Sequence, residues 1–422
     1  MRLVFCYEWT IINILLIFPL TMDLKGIERQ AIMLIRQACS PYGILASSQD
    51  KENYRRLWAR DSMIAGISGL LIGDEEILKG FRNSIQTLAN YQHPHGMIPS
   101  NVQPDGADLK LSYGGLAGRV DATTWFVVGT CLYLLNRGDE EFDKNIQSHL
   151  IHALDVLDRW EFNGKGLIYT PLSGNWSDEY PVQGYTLYDN LLRLWGLKLY
   201  ARLYNDEARC RQAQDIHEKI AVNYWPDLAQ KGNPAIYHPR EFEAEAENNY
   251  SHFATSIDPT GYNTHFDAAA NGLALLLALT TEAQEKRIGE YAEGIFEDVG
   301  KPLIPAFWPV ITPEDDKWHD LKNNYTYYFK NQAYHFQNGG IWPVWMGLFG
   351  MGFSRAGTPD MAETLLRAWL EAEDPEQIGF NEYLTSDTFK WSGKQRLSFS
   401  AAGLIFLTSS INKTYNQILY TD

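Results

Sequence analysis

Apolar positions along the chain fall into two alternating kinds of segment. In one kind nearly every position is apolar: Met63–Ile72, Ala122–Leu135, the stretch holding Leu191, Leu192, Leu194, Trp195, Leu197, Leu199 and Tyr200, the run from Phe266 to Leu279, the run ending at Phe353, and Ser398–Ile411. In the other kind the apolar residues recur on one helical face, as with Ile27, Ile32, Ile35 and Ala38, or Ile77, Leu78, Phe81, Ile85 and Leu88, or Phe142, Ile146, Leu150, Leu154 and Leu157. Residues 205–224, 282–297 and 357–373 repeat that pattern. A one-faced helix lies at a periphery, and only a helix walled in on every side can be apolar all round. The alternation predicts an all-α fold of about twelve helices, an (α/α)6 barrel in which six inner helices form a toroid and six outer ones pack on it. Period-2 strand runs of useful length are missing from the sequence. Long loops rich in Gly, Pro, Asn and aromatics precede most of the buried helices, at 92–118, 173–181, 225–264 and 325–345. Gathered at one end of the ring, they would build a cleft. With no linker or shift in composition, residues 22–422 read as a single domain.

The leading 21 residues do not fit the pattern. Trp9–Leu20 is apolar but too short to span a membrane, and contains Asn13 and Pro19. Glu8 precedes it and no small-residue cleavage site follows. Met22 then opens an ordinary-looking start, so residues 1–21 read either as a mis-called start or as a targeting segment.

Composition narrows the partners. A net charge of −16 without any Lys/Arg-rich run argues against nucleic acid and anionic membrane and suits a neutral substrate. The chain holds 13 Trp and 24 Tyr, many beside Gly, Asn or Asp, a setting in which flat rings pack on sugars as readily as on a core. Cys6, Cys39, Cys131 and Cys210 are scattered singly, with neither metal-ligand spacing nor a disulfide framework, which favours the cytoplasm. His93 and His95 flank Pro94 and read as loop residues. No cofactor or metal is expected, and a homo-oligomer is compatible with everything above.

The chemistry centres on Asp121, in Leu116-Ala-Gly-Arg-Val-Asp-Ala-Thr-Thr-Trp-Phe126, at the mouth of a buried helix. A carboxylate there is either a helix cap or a working acid. A second acid, Glu382 in Gly379-Phe-Asn-Glu-Tyr-Leu384, is the candidate partner, and Asp61, Asp178, Glu179, Asp189, Asp267 and Asp387 compete for either role. Two separated carboxyls in an aromatic pocket suit glycosidic bond hydrolysis, one protonated to serve the leaving oxygen and one ionised to activate water. Arg60-Asp61 is a helix cap or a substrate clamp, and Trp176, in Ser173-Gly-Asn-Trp-Ser-Asp-Glu-Tyr-Pro181, is a candidate sugar-stacking ring.

Residues 55–405 resemble the neutral/alkaline invertases, glycoside hydrolase family 100, and more loosely the glucosidase part of glycogen debranching enzymes. The resemblance rests on Arg60-Asp61, on Gly118-Arg-Val-Asp121 followed by Trp125, on Gly184, and on Phe266-Asp267 followed by Asn271. It continues through His335, Asn338-Gly-Gly-Ile-Trp-Pro343, Glu382-Tyr383 and Gly393-Lys-Gln-Arg396. It implies the (α/α)6 barrel and an inverting mechanism, with Asp121 as general acid, Glu382 as general base, and Arg60, Asp61, Trp125, His335 and Gln395 around the substrate; Trp342, in the aromatic segment 325–345, is a further candidate for binding the sugar. Val-Asp-Ala-Thr stands where the family has Val-Asp-Ser-Gly, and Trp-Ala-Arg-Asp-Ser is similar to debranching-type sequences. Amylo-α-1,6-glucosidase activity on branched α-glucans is therefore the alternative to sucrose hydrolysis, and a non-catalytic sugar-binding toroid is the alternative of another class. Inversion demands carboxyls roughly 6.5–9.5 Å apart. It also leads us to expect Asp121 to be the more desolvated, Arg119 to turn away from it, and Glu382 to stay open to water.

Overall fold

The computed structural model describes residues 24–49, 54–103, 109–374, 377–412 and 415–421, so the leading segment 1–21 lies outside the described residues. Among the described residues the expected alternation takes the form of twelve long helices. The outer ones are α1 (Leu24–Ala38), α3 (Glu75–Asn90), α5 (Glu140–Arg159), α7 (Glu207–Asn223), α9 (Glu282–Val299) and α11 (Pro359–Glu371). The inner ones are α2 (Ala59–Ile72), α4 (Val120–Arg137), α6 (Leu187–Tyr204), α8 (Ala268–Leu276), α10 (Pro343–Arg355) and α12 (Ser398–Asn412). Each inner helix packs on the next, α2 on α4, α4 on α6, α6 on α8, α8 on α10 and α10 on α12, and α12 closes the ring on α2. This is the (α/α)6 barrel. Every residue of α4 from Val120 to Leu134 is buried, whereas α5 buries only one stripe, from Phe142 to Leu157.

Three of the hairpins that join inner to outer helices reuse one device. A residue in the left-handed region ends the inner helix and an aspartate caps the outer one: Gly73 (φ 67°) then Asp74, Gly138 (φ 60°) then Asp139, Asn205 (φ 51°) then Asp206. The αL residue satisfies the terminal carbonyls and the aspartate accepts from the first free N–H groups, so the chain reverses within two residues. Short reversals leave the long connections at the other end, where the inner helices begin.

Those connections hold the antiparallel ribbons Leu57–Trp58/Asn101–Gln103/Lys110–Ser112, Tyr185–Thr186/Ser256–Asp258/Gly261–Asn263, Phe266–Asp267/Phe307–Trp308 and Tyr383–Leu384/Trp391–Ser392. The sequence pattern places the start of α6 near Val182, but Tyr185–Thr186 pairs in a ribbon and the helix begins at Leu187. The 225–264 loop also contains a short helix, Pro239–Glu245, that buries only Phe242, too little to leave a periodic signal.

Helices α10 and α12 meet backbone to backbone. A Cβ on Gly347 would lie 2.4 Å from the Gly403 carbonyl oxygen, and one on Gly403 would lie 2.4 Å from that of Pro343. Gly403→Ala is therefore expected to cost about 3 kcal/mol, the upper range for overpacking. Gly294→Ala on α9, where an added Cβ meets nothing within 4 Å, should instead stabilise by about 0.5–1 kcal/mol. Urea midpoints of the two variants test the contrast; equal midpoints would mean that the inner ring has room to spare.

Candidate active site

Four of the inner helices open on a buried aspartate. Asp61 is the third residue of α2, Asp121 the second of α4, Asp189 the third of α6, and Asp267 the N-cap of α8. Helix N-termini carry a partial positive charge and unpaired N–H groups, so carboxylates are favoured there. The four share one neighbourhood. Asp61 feels the charges of Asp121 and Glu382, Asp189 that of Asp121, and Asp267 that of Asp189. Burial pushes Asp61 up to about 6 and Asp189 and Asp267 up to about 7.

Asp189 and Asp267 are each bound by neighbouring groups, although Asp189 Oδ1 has no partner among the described residues. Asp267 accepts from the Ala270 N–H at 3.0 Å, and Asn271 donates to its carbonyl at 3.0 Å, the cap and brace expected from their spacing. One carboxylate oxygen of Asp189 accepts from Thr170, Asn175 and Thr186 at 2.7–2.9 Å.

Asp121 and Glu382 are reached from a single stretch of chain. The Tyr54 hydroxyl donates to Glu382 Oε1 at 2.6 Å, and six residues on, Arg60 Nη1 donates to Asp121 Oδ2 at 2.8 Å. Arg60 also lies 3.7 Å from Asp61. Arg119 turns away from Asp121, to the Ser173 carbonyl and to Asp178 at 2.6 Å.

Glu382 departs from expectation. Instead of lying open it is 7% exposed, against 2% for Asp121. Gly393 (φ +75°) folds the following turn over it, so that the Lys394 N–H donates to Oε2 at 3.2 Å; a Cβ on Gly393 would sit 2.4 Å from that oxygen. Burial raises the Glu382 carboxyl, opposed by the hydrogen bonds from Tyr54 and Lys394.

Asp178 and Glu179 act as clamps between loops. Asp178 holds Arg119 and accepts from Gln337 at 3.2 Å. Glu179 pairs with Lys330 at 3.0 Å, and its carbonyl accepts from Asn331 at 2.7 Å. Loops 113–119, 173–181 and 324–338 are thereby fixed to one another.

The predicted aromatics divide. Trp176 is stacked on Phe307 at 5.3 Å and meets Trp342 and Trp345, and its indole N–H has no partner among the described residues. Trp342 donates to the Phe336 carbonyl at 2.9 Å and lies against Tyr383, the residue after Glu382. Trp125 is not a pocket ring. It is 1% exposed, edge-on to Trp195, and its N–H is spent on the Tyr188 hydroxyl at 2.7 Å, which leaves no face for a ligand. His335 is half-buried with Nε2 3.7 Å from Asp387, and Gln395 is exposed beside Lys394.

Sequence reasoning missed Tyr54 and Gly393. Gly393 lies inside the Gly-Lys-Gln stretch already singled out, and its glycine was the available signal; nothing marks Tyr54 among the other tyrosines. No group of three or more His, Cys, Asp or Glu residues that could hold a metal occurs among the described residues. No helix of theirs is long and apolar enough to cross a membrane.

Residues 239–412 match the family model described as alkaline and neutral invertase. Over 91% of its length the chain is 22% identical to probable alkaline/neutral invertase A, chloroplastic, of Arabidopsis thaliana, and covers 70% of it. It is 20% identical to cytosolic invertase 1 of Oryza sativa subsp. japonica, over 90% of this chain and 75% of the relative. Among solved structures, it superposes on a GH63 mannosylglycerate hydrolase from Thermus thermophilus in complex with glucose with a TM-score of 0.65. There the identity is 15%, and 90% of this chain and all of the other are covered. A rhamnosidase from Klebsiella oxytoca with rhamnose bound gives a TM-score of 0.60 at 13% identity, covering 91% of this chain and 63% of the other.

Proposed function

We propose that this glycoside hydrolase, which resembles the alkaline and neutral invertases, cleaves an α-glucosidic bond of a neutral saccharide with inversion. Asp121 gives its proton to the leaving oxygen as the bond from the anomeric carbon breaks. A water attacks that carbon from the opposite face and passes a proton to Glu382. Arg60 balances the carboxylate left on Asp121, and Tyr54 fixes the lone pair with which Glu382 meets the water. On sucrose the products are β-glucose and fructose. The observation that carries this reading is the pair of buried carboxyls, far apart in sequence, held from one segment by Tyr54 and Arg60. We read residues 22–422 as one hydrolase domain. The cytoplasm is the proposed location, in keeping with the free thiols of Cys39, Cys131 and Cys210 and with a relative named as a cytosolic invertase.

The test is a substrate panel of sucrose, maltose, isomaltose, trehalose and a branched dextrin, with the first-formed anomer followed by NMR. β-Glucose should appear before mutarotation. α-Glucose as the first product would end the inverting assignment, and turnover of the dextrin in preference to sucrose would favour the debranching-type alternative.

Tyr54→Phe adds a prediction about pH. A general base must be ionised, and burial already raises the Glu382 carboxyl while Tyr54 holds it down. Loss of the phenol should therefore move the acid limb of kcat/KM to higher pH and lower its plateau about tenfold, the worth of one hydrogen bond to a charged group. An unmoved acid limb would separate Tyr54 from the base.

A further inference from the structure

The segment Tyr325–Tyr328 sets three aromatic rings out in solvent beside the site. Tyr327 is 87% exposed, Tyr328 67% and Tyr325 48%, whereas most of the rings around the barrel mouth are buried. Large exposed rings on neighbouring positions mark contact surfaces. The segment is held at several points. Asn324 accepts from Ser173 and donates to the Tyr180 carbonyl, at 3.0 and 3.2 Å. Lys330 is anchored 3.0 Å from Glu179, whose side chain is only 5% exposed. Asn331, wholly buried, donates to the Glu179 carbonyl. A buried carboxylate is costly without a partner, and here one serves to hold the base of a loop whose tip is bare tyrosine.

From the tip a run of contacts leads back toward Glu382. The Lys330 ammonium lies 5.9 Å from the Tyr328 ring centre and 4.1 Å from that of Phe336. Phe336 in turn lies 5.7 Å from Tyr383, the neighbour of Glu382. On the loop tied in through Arg119 and Asp178, Leu116 is fully exposed. Exposed apolar and aromatic side chains thus stand on two loops that the Arg119–Asp178 and Lys330–Glu179 pairs tie down, and such rings suit the flat faces of neutral sugars.

We infer that Tyr327 and Tyr328 are a platform for the rings of the leaving group beyond the bond that is cut, so that the preferred substrate is an oligosaccharide longer than a disaccharide. The inference rests on the hydrolase reading above and goes further, in assigning the outer part of the substrate to a surface of its own. A tyrosine stacks on a pyranose whatever the linkage, so the platform selects for length.

The experiment compares the wild-type protein with Tyr327→Ala/Tyr328→Ala on paired substrates: sucrose with 1-kestose, maltose with maltopentaose, isomaltose with isomaltopentaose. In whichever pair is turned over, the wild type should favour the longer member. In the double variant the ratio of kcat/KM on the longer to that on the shorter should fall about tenfold, the worth of one or two aromatic contacts. An unchanged ratio overturns the platform, including the case in which both members slow equally, as they would if the loop were only a lid. Should the wild type hydrolyse none of these sugars, the hydrolase reading falls. The leaving-group assignment then falls with it, and fluorescence titration with maltopentaose and isomaltopentaose separates the two failures: binding that the double variant weakens keeps Tyr327 and Tyr328 as a sugar-binding surface, and unweakened or absent binding overturns that as well.

Discussion

Asp121→Asn and Glu382→Ala are each expected to lower kcat by ~10³-fold or more, and to respond in opposite ways to the leaving group and to an added anion. Without its acid the enzyme cannot protonate the departing oxygen, but a substrate that needs no proton escapes the defect. α-Glucosyl fluoride should therefore recover most of its rate in Asp121→Asn and none in Glu382→Ala. Without its base the enzyme cannot activate water, but azide needs no base. Removal of the Glu382 side chain leaves space on that face of the sugar, and azide should restore turnover with β-glucosyl azide as product, while Asp121→Asn gains nothing from it. The experiment also separates the two assignments. Glu382 is buried and its carboxyl raised, properties that suit a proton donor. Should azide rescue the Asp121 variant and fluoride the Glu382 variant, the roles are exchanged. Near wild-type rates in either variant would remove that residue from catalysis altogether.

The acids at the heads of the inner helices could be read before folding because they obey local rules. An apolar run with an acid at its head reads as a buried helix with its N-terminus at a polar place, and Asp61, Asp121, Asp189 and Asp267 all follow that rule. What each of these acids is bound to depends on the groups that the fold brings to it. Asp189 is occupied by Thr170, Asn175 and Thr186, and Asp267 by its own helix, whereas Asp121 meets Arg60 from another inner helix. The burial of Glu382 was not legible for a similar reason, since it depends on a turn at Gly393, eleven residues away, closing over the carboxylate. The resemblance placed Trp125 around the substrate, and the sequence does not say whether such a ring lines a pocket or fills a core. The decision lay with Tyr188, which takes up its N–H. The short ribbons escaped notice because strands of two or three residues are too brief to show a period.

Stability should fall as pH rises from about 4 to about 7, the reverse of the usual acid lability. Burial sets the folded-state value of Asp61 at about 6 and those of Asp189 and Asp267 at about 7, against an ordinary 3.8. The folded protein therefore binds these protons more tightly than the unfolded chain does. The resulting stability is fully present below the unfolded value and is lost as pH climbs through the folded ones. Asp74 works in the other direction. Despite burial, the hydrogen bonds from Arg36 and the Ile77 N–H hold it below 3.8, and its contribution disappears only in stronger acid. All three displacements have the same sense, so together they lower stability across the window. Urea midpoints measured between pH 4.5 and 8 should decline, and Asp189→Asn/Asp267→Asn, which imitates the neutral side chains, should flatten the decline. A midpoint that rises over the same range, or a slope that the double variant leaves untouched, would mean that these aspartates stay ionised at the heads of their helices. The inner helix ends would then be polar enough to hold four neighbouring negative charges without help from a proton.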